Sequence, residues 1–132
     1  MSRAREIADL IGGTTPDIIL KTADGAILNL QTSDTTVTDG SVLGAVNFTA
    51  PNEGSGTDAL LVGASIQAIS EGTFAADNNA TQLVFKTGAS EAAATKMTLT
   101  SAGKLGIGVE APAEMLEVFN AASPAIQLND GG

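Results

Sequence analysis

Residues 95–118, TKMTLTSAGKLGIGVEAPAEMLEV, carry the pattern that decides the fold of this chain. Met97 and Leu99 alternate with polar residues before a short turn. Leu105 and Ile107 alternate with glycines after it. Alternation with a period of two indicates β-strands. Gly103 ends the turn at residues 101–103, where a three-residue loop needs a left-handed residue. We therefore predict a strand, a tight turn and a second strand.

The second half of this stretch contains two glycines that leave one face of the predicted strand without side chains. Gly106 and Gly108 would let another backbone approach closely. Pro112 ends the run, and Leu116 and Val118 restart the period of two. Residues 106–111 also fit the G-x-G-x-x-A dinucleotide fingerprint, but no strand–helix–strand unit surrounds them. We interpret the stretch as scaffold.

The same period of two continues through most of the chain from residue 14 onward. The Asp24-Gly25 pair is a strong hairpin signal. Residues 59–69 could also form a helix, but alternation favours a strand, and residues 33–41 are predicted as a loop or a short connecting strand. The other predicted strands lie around residues 18–20, 27–30, 43–49 and 82–87, and the predicted loops span 51–58 and 72–81.

Residues 2–11, SRAREIADLI, form the one convincing helix in the sequence. Ser2 is a suitable N-cap, and Gly12-Gly13 ends the helix. A helix this short is marginal alone in water, so its apolar stripe must dock. It either packs on its own domain or serves as an assembly or anchoring peptide. The residues assigned to this role are Ala4, Ile7, Ala8, Leu10 and Ile11.

The composition predicts a thin core for a single chain. Of 132 residues, 43% are apolar but only 3% are aromatic, and Trp and Tyr are absent. Large core-forming side chains are therefore sparse for this length. We expect the chain to bury apolar surface against partners, most simply copies of itself.

Several classes of function are disfavoured by what the chain lacks. A net charge of −9 disfavours nucleic acids and anionic membranes. Neither Cys nor His is present, which removes thiolate chemistry and the commonest general base and metal ligand. No apolar run is long enough to span a membrane. Six of the acidic residues lie in predicted loops, where turn chemistry places them: Asp24, Asp39, Asp58, Asp77, Glu91 and Glu110. We expect a chain that is not an enzyme and binds no cofactor or metal.

The end of the chain echoes its beginning. Residues 123–131, SPAIQLNDG, repeat the Pro, Ile and Leu of residues 15–21 and the later Asp-Gly pair. Either the match is chance, or a further copy of a repeated module begins there. The predicted organisation is an anchor at residues 1–13, a β-rich module at 14–123, and a second repeat or a C-terminal strand at 124–132.

One pattern of residues runs through the second half of the chain: Leu83-x-Phe85, Met97-x-Leu99, Gly103-Lys104-Leu105-Gly106-Ile107-Gly108, Pro112 and Leu116-x-Val118. It resembles a module that recurs in tail-fibre and appendage proteins of tailed bacteriophages, marine ones especially. The resemblance covers about residues 15–128. Residues 109–111 depart from the family's usual Thr-x-Ser. The resemblance implies an all-β, homotrimeric fibre, shaft or collar module with a short N-terminal helix. Residues 105–108, Leu105, Gly106, Ile107 and Gly108, would then pack between chains.

We therefore expect a non-enzymatic virion structural protein, made in the host cytoplasm and placed on the tail or the capsid. Its partners would be its own copies and, through residues 1–13, other virion proteins. The alternative is a module that binds a glycan or protein of the host surface through the loops at 51–58 and 72–81. A polysaccharide depolymerase fragment is a weaker third candidate, since no acid/base pair stands out.

Overall fold

The computed structural model describes residues 20–49, 56–122 and 126, and within them the chain is all-β. Six strands form one mixed sheet in which spatial order follows chain order. One short 3₁₀ helix, Asp58–Leu60, precedes the second strand. The strands are β1 (Val42–Thr49), β2 (Val62–Ser70), β3 (Thr81–Thr87), β4 (Ala94–Leu99), β5 (Leu105–Ile107) and β6 (Leu116–Val118).

The first five strands form an antiparallel meander, in which each strand pairs with its neighbour in sequence. The last pair differs, because β5 and β6 are parallel. Because the two strands run in the same direction, their connection, residues 108–115, must run back from the end of β5 to the level at which β5 begins. It is shorter than the dozen or so residues usual for a parallel crossover. The predicted break at Pro112 lies in this crossover.

The predicted hairpin between β4 and β5 is confirmed. Gly103 has a φ of +80°, the left-handed conformation expected at the end of this turn. The Gly103 N–H donates to the carbonyl oxygen of Thr100, and the Thr100 N–H donates to that of Lys104. This closed turn sets the register in which Met97 lies opposite Ile107 and Leu99 opposite Leu105.

The predictions for the central strands also hold. Residues 43–49 and 82–87 lie in β1 and β3, and residues 62–70 form a strand rather than a helix. The N-terminal end of that predicted strand is different. Leu60 and Leu61 donate backbone hydrogen bonds to residues three positions back, so a 3₁₀ turn replaces the first strand residues.

The returning strand predicted at residues 27–30 is wrong. The turn at Asp24-Gly25 forms, with Gly25 at a φ of +97°, but the following residues pair with no strand among those described. Leu30 instead lies against β1, since a Cβ placed on Gly44 would be 2.7 Å from the Leu30 Cβ. Ile27 and Leu28 remain exposed. Extended apolar residues thus pass over the sheet here without joining it.

The predicted N-terminal helix, the loop at 51–55 and most of the C-terminal echo lie outside the described residues. No helix in the described part of the chain is long and apolar enough to cross a membrane.

Candidate interaction surface on the apolar sheet face

Strand register gathers the large apolar side chains on one face of the sheet. Residues directly opposite each other on neighbouring strands share a face. The first cross-strand row reads Val46, Ile66, Phe85, Met97, Ile107 and Val118. The second reads Gly44, Ala68, Leu83, Leu99, Leu105 and Leu116. These two rows, with Phe48 beside them on β1, are called the apolar face below.

Little of the described chain covers the apolar face. Phe48 and Leu116 are each 55% exposed, and Ile107 is 42% exposed. Leu30 lies against it at Gly44. Among the described residues the one fully buried hydrophobic side chain is Val84, and it lies on the opposite face. Within the described part of the chain, the side chains of the apolar face are therefore half-buried or exposed and form no closed core.

The apolar face is one patch that crosses all six strands. Six strands about 4.8 Å apart span roughly 24 Å, and the two rows lie roughly 7 Å apart along the strands. Contiguous apolar patches of several hundred Å² on a soluble chain mark interaction sites. The two rows contain no charged residue. Such a surface can bury against another apolar surface but offers nothing to a charged ligand.

The opposite face is polar and partly covered by its own loops. The residues of its central positions are Asn47, Ser65, Gln67, Lys86, Thr98 and Glu117. The Ser65 hydroxyl donates to the Asn47 side-chain oxygen at 2.7 Å, across β1 and β2. The loop at residues 38–41 and the crossover at 108–115 border this face. We call it the polar face.

The crossover is held to the sheet by two charged side chains that bind the backbone of one residue, Ala113. The Glu117 carboxylate accepts a hydrogen bond from the Ala113 N–H at 2.7 Å. The Lys104 ammonium donates to the Ala113 carbonyl oxygen, also at 2.7 Å. Pro112 is buried beside Ala113. The crossover therefore lies as a fixed strap over the polar face, which leaves the apolar face free.

The four residues predicted to pack between chains separate into two pairs. Leu105 and Ile107 lie on the apolar face, where a partner could reach them. Gly106 is buried on the polar face, against the Val109 carbonyl and the Pro112 ring. Gly108 follows β5 at a φ of +77°, and its backbone lies against the Phe119 carbonyl. Close packing within the chain thus accounts for both glycines.

The predicted anchor residues Ala4, Ile7, Ala8, Leu10 and Ile11 lie outside the described residues. The sequence reasoning also missed the size of the exposed apolar face. A signal for it existed: Phe85, Met97 and Ile107 each occupy the apolar phase of a period-two strand. Their convergence on one face depends on register, which alternation within single strands does not define.

The described residues give little support for a metal-binding or dinucleotide-binding site. No group of three or more acidic side chains there could hold a metal ion. Asp77 and its neighbours form a tight turn in which Asn78 bonds to Thr73 and Ala80. Gly108 leads into the crossover rather than a helix, so no dinucleotide-binding turn forms.

No protein-family model matches this chain, and a comparison with curated proteins finds no match. The function must therefore be inferred from the two faces of the sheet.

Proposed function

We propose that the chain is a non-enzymatic structural protein of a bacteriophage particle, assembled as a homotrimeric β-structured module of a tail fibre or another appendage. The apolar face forms the contact between copies. The observation that carries the proposal is that, within the described residues, much of this face is exposed and Val84 is the one hydrophobic side chain that is fully buried.

The energetics favour an obligate assembly. Burying apolar surface stabilises by about 25 cal/mol per Å², so a few hundred Å² corresponds to roughly 10 kcal/mol before the costs of association. That is comparable to the whole stability of a small domain. A chain with one buried hydrophobic side chain among its described residues needs this contribution in order to fold.

Copies of the same chain suit this role better than a different protein. The apolar face is self-complementary, because it is uniformly apolar and carries no charge that a specific foreign partner would have to match. Sister chains are also present wherever the chain is made. The net charge of −9 per chain would lie on the outer surfaces and keep the assembly soluble.

The phage assignment and the number three rest on the resemblance of about residues 15–128 to appendage modules. The structure of residues 95–118, a tight hairpin followed by a strapped parallel strand, is a rigid scaffold suited to such a role. Residues 1–13 would attach the assembly to other virion proteins. Host-surface binding through the loops at 51–58 and 72–81 remains the alternative function.

Two adjacent residues of β1 provide a matched test of the contact. Val46 lies on the apolar face and Asn47 on the polar face, so Val46→Asp and Asn47→Asp add the same charge on opposite sides. We expect Val46→Asp to dissociate the oligomer in sedimentation velocity and Asn47→Asp to leave it intact, because an Asp oxygen can still accept from Ser65. Equal behaviour of the two variants would contradict the proposed interface.

The virion assignment needs a separate measurement. Quantitative mass spectrometry of purified phage particles that encode the chain should find it in a copy number divisible by three. A variant lacking residues 1–12 should still form the oligomer but be missing from particles. Absence of the intact chain from particles would overturn the assignment, and normal incorporation of the shortened chain would remove the anchoring role.

A further inference from the structure

The chain contains three Asp-Gly pairs, and two of them lie within the described residues. These two are Asp24-Gly25 and Asp39-Gly40, while the pair at residues 130–131 lies outside the described part. Both residues of each described pair are exposed. Each glycine has a positive φ, +97° at Gly25 and +78° at Gly40. The two pairs therefore share their residue types, their exposure and the left-handed conformation of the glycine.

The backbone around Asp39-Gly40 is held by hydrogen bonds. The Gly40 N–H donates to the Ser70 carbonyl oxygen at 3.0 Å. The Ser41 N–H donates to the Thr38 carbonyl oxygen at 3.1 Å, and the Ser70 N–H donates to the Ser41 carbonyl oxygen at 3.0 Å. This pair is thus enclosed in a closed loop that is joined to the end of β2.

The backbone around Asp24-Gly25 has no comparable support. Within the described residues, the Gly25 N–H forms no well-aligned hydrogen bond with another backbone group. Residues 20–31 are all exposed. A segment with few buried contacts and unpaired amides opens at little cost in free energy. The backbone at this pair can therefore change its conformation without disturbing the sheet.

An Asp-Gly pair can undergo a reaction that needs this freedom. The glycine nitrogen attacks the Cγ atom of the aspartic acid side chain, and a five-membered succinimide ring closes. An N–Cγ bond forms, and the N–H proton leaves with the carboxyl hydroxyl group as water. The two reacting groups are already joined, so the step is intramolecular. Glycine favours it, because its backbone reaches conformations that other residues avoid and no Cβ hinders the nitrogen.

Water then opens the ring at one of two bonds. Cleavage of the N–Cγ bond restores Asp. Cleavage of the bond between the nitrogen and the former main-chain carbonyl carbon gives isoaspartate, in which the main chain runs through Cβ and Cγ. The water released on closure is returned on opening, so isoaspartate has the same mass as Asp. An N–H that is held by a carbonyl oxygen must first leave it before it can react, which slows ring closure.

We propose that Asp24 is a site of spontaneous isomerisation to isoaspartate, and that the fold protects Asp39 from the same reaction through the hydrogen bond from Gly40 to Ser70. This modification goes beyond the structural role proposed above and does not rest on it. Its product lengthens the main chain by one carbon atom ahead of residues 26–30, the segment that brings Leu30 against Gly44.

The test follows the full chain during prolonged warm incubation, folded in buffer and separately unfolded in guanidinium chloride. Each sample is digested with the protease Asp-N, which cuts before Asp but not before isoaspartate, and the peptides are quantified by mass spectrometry. In the folded chain, cutting before residue 24 should be lost several times faster than cutting before residue 39. In the unfolded chain the two losses should have similar rates, because both pairs contain the same reacting residues.

Asp24→Asn and Asp39→Asn are a matched pair of variants with a second readout. An Asn side chain closes the same ring with loss of ammonia, so hydrolysis leaves an acid in place of an amide and raises the mass of the chain. Both positions are exposed, so neither change disturbs a buried contact. Folded Asp24→Asn should gain mass several times faster than folded Asp39→Asn.

Each other outcome overturns the proposal. If the folded chain keeps its full cutting before residue 24 while the unfolded chain reacts, Asp24 is not a modification site. Equal rates at the two positions in the folded chain would contradict protection by the Ser70 carbonyl. A difference that persists unchanged in guanidinium chloride would assign it to the neighbouring residues in the sequence rather than to the fold.

Discussion

The carbonyl oxygen of Val109 lies 2.5 Å from the position that a Cβ atom on Gly106 would occupy. The Pro112 ring lies 3.3 Å from the same position. Real Cβ atoms do not approach a backbone oxygen so closely, so the crossover can rest on β5 only because residue 106 has no side chain. The parallel pairing of β5 and β6 therefore depends on this glycine.

Replacing Gly106 with Ala should lower the free energy of unfolding by about 1–3 kcal/mol, the usual cost of overpacking. The matched control is Gly63→Ala in β2, where the nearest atom would be 3.7 Å away, an ordinary contact. That change should be neutral or stabilising by up to about 1 kcal/mol. Chemical denaturation of the two variants measures the difference. Equal free energies of unfolding for the two variants would show that the crossover does not pack closely against β5 at residue 106.

The same variant separates contacts within the chain from contacts between chains. If Gly106 serves only the crossover, Gly106→Ala should be less stable yet keep its oligomeric mass under native conditions. A fully folded but dissociated variant would instead assign Gly106 to the interface between copies.

Ser70 fixes the loop at residues 38–41 to the end of β2. Its side chain is 1% exposed; the hydroxyl donates to the Thr38 carbonyl and accepts from the Ser41 N–H at 3.0 Å. Ser70→Ala removes both contacts, but the Ser41 N–H still donates to the Thr38 carbonyl oxygen at 3.1 Å, so we expect a loss of about 0.5–1.5 kcal/mol in denaturation experiments. Ser90→Ala, an exposed serine, should change stability by less than about 0.5 kcal/mol. A Ser70 variant as stable as that control would contradict this role.

Lys104 and Glu117 bind the backbone carbonyl and N–H of the same residue, Ala113, so their contributions should be coupled. Lys104→Met and Glu117→Met should each lower stability by about 0.5–1.5 kcal/mol, small values because both contacts are exposed. The double variant should lose less than the sum, since one broken contact already loosens the strap. A double-mutant cycle by thermal denaturation measures this coupling. Strict additivity would mean that the two side chains act independently.

Thr98→Val removes a buried hydroxyl without changing the shape of the side chain. Because Thr98 Oγ1 has no partner in the described chain, the variant should be more stable by about 1 kcal/mol. Differential scanning calorimetry would show the corresponding rise in Tm. A fall in Tm would mean that the hydroxyl is already satisfied, by water or by another part of the chain.

Much of the local structure could be predicted from alternation and turn chemistry. The hairpin from Met97 to Ile107 follows from apolar residues at every second position around a glycine-ended turn. Strand pairing over longer distances could not, because alternation does not say which strand is the neighbour or in which direction it runs. The parallel arrangement of β5 and β6 depends on the packing of Pro112 over Gly106 and on the hydrogen bonds that the Ala113 backbone makes.

The sequence predicts that the chain needs an apolar contact surface, but it does not predict how large that surface is. Low aromatic content and a thin core indicate a need for partners, and Leu105 and Ile107, predicted to pack between chains, lie on the apolar face. At residues 27–30 the sequence pattern predicts a strand that does not form. Their apolar alternation is typical of a strand, but Leu30 packs across β1 instead of pairing with it. Glycine patterns likewise predict a close approach of backbone without saying whether it comes from the same chain.

The mass of the full chain in solution tests the central claim most directly. One chain is 13.1 kDa, so a homotrimer formed through the apolar face has a mass of about 39 kDa. Size-exclusion chromatography with multi-angle light scattering should give that mass over a wide range of protein concentrations, as expected for an obligate assembly. A stable, folded species of 13 kDa at every concentration would contradict the account.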